Sequence, residues 1–141
     1  MFKKILDGIC LKLSEYYNYS IYIDDSEQGF EEPCFFIQHI ESSHQSKLND
    51  RHSREYRFNV RFHNTKDGIE TLNTKGDELY QILEYIKTEE GQLVRGLNME
   101  FEINDGVLHF FVTYKGELDS IKDIVEKMQH MDTKVGVEVG R

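Results

Sequence analysis

Six histidines, three adjacent carboxylate pairs, two cysteines and a run of arginines are the side chains of this sequence that could do chemistry. Metal binding needs ligands that converge within a few ångströms, and the motifs that guarantee convergence place them at short fixed spacings. Here His39, His44, His52, His63, His109 and His130 are never closer than five positions apart. His39 shares a strand face with Phe35 and Ile37, and His109 shares one with Val107 and Phe111, so packed or subunit-contact histidines are expected and no metal site. Acid–base catalysis needs two carboxyl groups in different environments across a pocket. Asp24/Asp25, Glu31/Glu32 and Glu89/Glu90 sit instead in turns, where both partners are solvated. Cys34 could be written as a nucleophile with His39 or His109 as base, yet a thiol in an apolar strand with no activating neighbour is inert. Cys10 and Cys34 have 23 residues between them, form no C-x-x-C pair and read as buried thiols. No G-x-S-x-G, P-loop or G-x-G-x-x-G is present, and neither a catalytic residue nor a cofactor is expected.

The basic residues tell more. Arg51, Arg54, Arg57 and Arg61 concentrate in a chain that carries 26 acidic against 17 basic residues and a net charge of −9. A specific nucleic-acid grip would need a basic face to neutralise phosphates, so it is not expected. Arginine's planar fork pairs with carboxylates at protein contacts, which makes a salt-bridged subunit interface a better reading than nucleic acid, with a solvated strand face as the competing reading. No apolar run reaches the roughly 18 residues of a membrane span, and Asp7 interrupts what would be a signal peptide's apolar stretch, so a cytoplasmic protein is expected.

These side chains need elements to position them. Phe2, Ile5, Leu6, Ile9, Leu13 and Tyr16/Tyr17 recur at helical spacing and predict a helix from about 2 to 17. Ser20 to Ile23 is a short strand. Gly29 and Pro33 turn the chain into a nearly continuous apolar strand from Cys34 to Ile40, of the kind covered on both faces or set at a subunit contact. From about 41 to 53 the sequence is polar except for Leu48, a stretch read as a long contact loop or arm. Tyr56, Phe58, Val60 and Phe62 then alternate with Arg57, Asn59, Arg61 and His63 as a half-buried strand. Leu72, Leu79, Ile82, Leu83 and Ile86 predict a second main helix from about 70 to 87. Asp105-Gly106 joins two period-two strands, 97–104 and 107–114, into a hairpin. A third, C-terminal helix is read from about 118 to 130, followed by a short strand at 135–139, with an extended tail docked on a neighbour as the competing reading. The expectation is a single α+β domain over 1–141, a mixed or antiparallel sheet packed by two main helices.

The ordered set of a helix-start Ile5/Leu6/Ile9 pattern, Glu27-Gln28-Gly29, Pro33-Cys34-Phe35-Phe36-Ile37, Arg51 and Arg54, and Gly106-Val107-Leu108-His109-Phe110 resembles the tail terminator, or tail completion, proteins of tailed phages and prophages. The likeness spans about residues 1 to 114, and the segment from 115 to 141 departs from it most. The resemblance implies a structural assembly protein: a hexameric ring on the head-proximal end of the tail tube, which ends tube growth and joins the tail to the head connector. Its implied partners are copies of itself, the tube protein, the connector and, in contractile particles, the sheath. Its place would be the virion tail or a phage-tail-like particle. On this reading Arg51, Arg54 and Arg57 pair with a neighbour's carboxylates, while Phe35, Phe36, His39 and Leu48 lie near the contact. A tube subunit, another head–tail joining component, or an unrelated small enzyme or regulator are the alternatives.

Overall fold

The computed structural model describes residues 1–23, 29–47 and 51–118. They form α1 (Phe2–Tyr16), β1 (Ser20–Ile23), β2 (Cys34–Lys47), β3 (Arg51–His63), α2 (Ile69–Ile82), β4 (Tyr85–Lys87), β5 (Leu93–Asn104) and β6 (Val107–Leu118). The six strands make one mixed sheet in the order β1-β2-β3-β6-β5-β4, and the class is α+β as expected. Two compact units divide the chain. Of the described residues, the first comprises 1–23, 29–42 and 55–115, and the second 43–47, 51–54 and 116–118.

The first unit owes its core to period. Ile5, Ile9 and Leu13 of α1 and Leu72, Leu79 and Ile82 of α2 lie on one face of each helix and are buried. They meet alternate residues of the strands: Phe35 and Ile37 of β2, Phe58, Val60 and Phe62 of β3, and Leu108, Phe110 and Val112 of β6. Burying side chains of this size contributes about 1.5–3 kcal/mol each. Gly76, a residue type unfavourable within a helix, has a packing role here. A Cβ there would lie 2.6 Å from the Phe101 ring, so the bare backbone lets α2 settle onto β5. Lys75 spans the same layer boundary, its ammonium 4.5–5.2 Å from the ring centroids of Tyr17, Tyr19 and Phe62.

The helix expected over 70–87 stops at Ile82, and residues 85–87 form a strand. Leu83 and Ile86 do continue the helical spacing, but the backbone has better partners elsewhere. The Tyr114 hydroxyl donates to the Leu83 carbonyl at 2.6 Å, and the Gly96 N–H donates to the Glu84 carbonyl at 2.6 Å. These are acceptors that the next helical turn would have used. Gly96 is required for the close approach, since a Cβ would lie 2.8 Å from the Leu83 oxygen. Ile86 still reaches the core, now as the inward residue of β4 beside Val94.

The polar stretch 41–53 is also not a long loop. β2 continues to Lys47 and β3 begins at Arg51, which leaves three residues, 48–50, between them. Three residues cannot make a parallel crossover, so this is an antiparallel hairpin. Polar residues on both faces carry no apolar alternation, and the strands escape a pattern search for that reason. The β5–β6 hairpin is as expected. Asp105 (φ 52°) and Gly106 (φ 74°) take the two positive-φ positions of a type I′ turn, and a bulge lies between Leu97 and Glu100. The C-terminal helix and strand expected after Leu118 lie outside the described residues.

Tyr114 is fully buried. Tyr114→Phe leaves the Leu83 carbonyl without its donor and is expected to lower stability by about 1–3 kcal/mol. A urea midpoint unchanged from the parent would contradict this account of how α2 ends.

Candidate functional site

Both helices pack on one face of the sheet, so the other face is the one free to carry function. Strand alternation decides what it displays. Within β3, Arg57, Asn59, Arg61 and His63 face away from the helix-covered residues; within β6, His109, Phe111 and Thr113 do so. The β5–β6 register sets Glu100 opposite Phe111 and Glu102 opposite His109, which puts both carboxylates on this face too.

Arg57 organises the middle. Its guanidinium donates to Glu100 Oε2 at 3.0 Å, to Thr113 Oγ1 at 2.9 Å and to the Asn98 carbonyl at 3.2 Å. It also lies 5.5 Å from the Phe111 ring centroid. Asn98 has φ 51°, in the bulge, where it turns its carbonyl to this side chain. With donors on both terminal nitrogens, the planar Arg fork reaches three acceptors on two strands at once. Beside it, a depression of about 390 Å³ crosses four strands, lined by Ile40 and Glu41 of β2, Arg57 of β3, Phe111 of β6, and Glu100 and Glu102 of β5.

Towards the β1 side the face is aromatic. Phe36 packs against Tyr22, Phe30 and His63, with the Arg61 guanidinium 5.2 Å from its ring centroid. The adjoining turns are tied by Glu32, whose carboxylate accepts the Thr65 N–H at 2.7 Å. That hydrogen bond holds the Glu32 carboxyl below its usual range. His109 stands 3.4 Å from Asn59. Burial, and then the nearby Arg61 cation, push its pKa below the ordinary 6.5.

The residues expected at a contact separate into distinct environments. Phe35 is fully buried in the helix-covered core. Phe36 is equally buried but on the opposite face. His39 is exposed on the helix side, its ring 5.0 Å from that of Phe2. Arg57 already has a carboxylate partner in its own chain. Arg54 lies in the second unit, where its Nε donates to His44 Nδ1 at 3.0 Å. The Arg51 side chain and Leu48 lie outside what is described. Cys34 meets neither proposed base: His39 is on the other face of its strand, and His109 is two strands away. Burial, with Glu32 adding to it, raises the Cys34 thiol to about 11, the condition of an unreactive cysteine. Among the described residues no group of three or more His, Cys, Asp or Glu side chains could hold a metal ion, and no helix is long and apolar enough to cross a membrane.

The groove itself was not singled out from sequence, although part of it could have been. Counting back from the Asp105-Gly106 turn places Glu100 opposite Phe111 and both glutamates on one face. The contribution of Ile40 and Glu41 depends on a neighbour, β3, through which β2 joins the sheet.

A family model described as phage tail terminator protein matches residues 4–127. The chain belongs to the phage tail terminator family. Its role is therefore structural, in the assembly of phage tails, where it meets other tail components. The match runs past residue 114, where the motif resemblance fades, and takes in all of β6. No curated protein matches the sequence.

Two outcomes follow from the groove. Arg57 is 19% exposed and Glu100 69%, so Arg57→Ala should cost about 1–3 kcal/mol and Glu100→Ala less than about 1. Equal losses in urea unfolding would contradict the central place of the guanidinium. Folding also holds His109 neutral to lower pH than the unfolded chain does. Its contribution is complete above the unfolded value near 6.5 and is lost as pH falls through the lower folded value. His109→Gln should flatten that part of the stability–pH curve, and an NMR titration of His109 at or above 6.5 would refute it.

Proposed function

We propose that the chain assembles as a ring, in the hexameric form implied by the family resemblance, on the head-proximal end of the tail tube. There it ends tube polymerisation and offers its outer surface to the head–tail connector and, where the tail is contractile, to the last sheath layer. The work is done by contacts between proteins, with no cofactor and no sequence-specific grip on DNA. A net charge of −9 supports that choice of partner.

The observation that carries the reading, beside family membership, is the β2–β3 hairpin. Its outer residues, 43–47 and 51–54, are all polar and belong to the second compact unit. Strands with polar side chains on both faces offer charged and hydrogen-bonding groups to a partner. The hairpin holds Arg54, already oriented by His44, with Arg51 at the start of β3. These arginines pair with carboxylates of the neighbouring subunit. Arg57 is not needed for that contact, being committed to Glu100.

Arg51→Glu combined with Arg54→Glu tests the reading in a mixture with polymerising tube protein. The expected result is a folded chain that no longer forms rings and lets tubes grow beyond the length seen with the parent chain. Rings and tube lengths identical to the parent's would overturn the arginine contact, and a parent chain without effect on tube length would overturn the capping role.

A further inference from the structure

The helix-free face carries a second exposed surface besides the groove, and the two are opposite in charge. In the β4–β5 ribbon, Tyr85 pairs with Arg95 and Lys87 with Leu93, while Ile86 and Val94 are buried. Alternation therefore points Tyr85, Lys87, Leu93 and Arg95 the same way. Tyr85 is 43% and Leu93 61% exposed, large apolar areas for a strand at the sheet's edge. Among the described residues Arg95 has only a loose surface contact, 3.8 Å from Glu84. This is an aromatic and an aliphatic side chain flanked by two cations. The groove is its complement. Ile40, 46% exposed, and Phe111 supply apolar wall, and Glu41, Glu100 and Glu102 supply the charge. With Arg57 satisfying Glu100, the carboxylates that face an incoming cation are Glu41 and Glu102.

We propose that ribbon and groove are the two halves of a head-to-tail contact between copies of this chain. Tyr85 and Leu93 of one copy seat in the groove of the next, while Lys87 and Arg95 meet Glu41 and Glu102. The proposal rests on the ring reading and says which surfaces close the ring. Two different surfaces of one chain that fit each other can pair head to tail, and such a contact repeats round a closing ring. The composition is that of an interface: an aromatic anchor, an arginine and a depression to receive them, rimmed by charges that set register and exclude wrong pairings. The ribbon can reach a neighbour because β4 is the outermost strand and only three residues long.

Two complementary variants test it. The first, Lys87→Glu with Arg95→Glu, has an acidic ribbon and an acidic groove. The second, Glu41→Lys with Glu102→Lys, has a basic ribbon and a basic groove. All four positions are exposed, and circular dichroism checks that both variants fold. By sedimentation and native mass spectrometry, with tube protein present and absent, each variant alone should associate at least ~100-fold more weakly than the parent. An equal mixture should recover association to within about tenfold of the parent, in complexes with the two variants in equal number. Variants that assemble alone as the parent does would leave the ring standing and overturn these surfaces, as would a mixture that fails to recover. A parent chain that stays monomeric with and without tube protein would overturn the ring reading and this contact together.

Discussion

The capture of two backbone carbonyls, Leu83 by the Tyr114 hydroxyl and Glu84 by the Gly96 N–H, is the constraint on which the rest of the first unit depends. A helix end buried without partners for its last carbonyls costs stability, and here the sheet supplies the partners. That capture stops α2 after Ile82, turns the chain into β4 and adds the sixth strand to the sheet. It also fixes which side chains of residues 85–95 face inward. Ile86 and Val94 go to the core, and Tyr85 and Arg95 go to the helix-free face. Without a Gly at 96 the two segments could not approach, and without a Tyr at 114 the buried carbonyl would have no donor.

A sheet with helices on one face divides its residues between stability and recognition, one by one. Phe35 and Phe36 are neighbours in sequence, yet the first packs among helix side chains and the second beneath Arg61 on the open face. The same division separates Phe58 from Arg57 and Phe110 from Phe111. It explains how an acidic chain can place cations in the middle of its sheet: each is held over an aromatic ring, and Arg57 is further bound to a carboxylate and a carbonyl. The open face is thus ordered before any partner arrives, which lowers the entropy a partner must overcome on binding.

Much of this was legible in the residues. The period-two runs at 56–63, 97–104 and 107–114 and the Asp-Gly turn required nothing beyond alternation, and α1 required only its apolar stripe. Three features were not legible, each for a physical reason. Leu83 and Ile86 keep helical spacing, and the bonds that break the helix come from residues 12 and 31 positions away along the chain, counted from Glu84 to Gly96 and Leu83 to Tyr114. The outer halves of β2 and β3 have no apolar face, so they look like loop. The groove is assembled by four strands in an order, β2-β3-β6-β5, that local patterns do not reveal. The arginines were recognisable as contact residues, but only the structure separates Arg57, spent within its own chain, from Arg54 in the arm.

The measurement that bears most directly on the central claim is electron microscopy of tailed particles carrying a label on this chain. Label confined to a single ring at the head-proximal end of the tube is the result the account predicts. Label distributed along the tube, or absent from every particle, would contradict it.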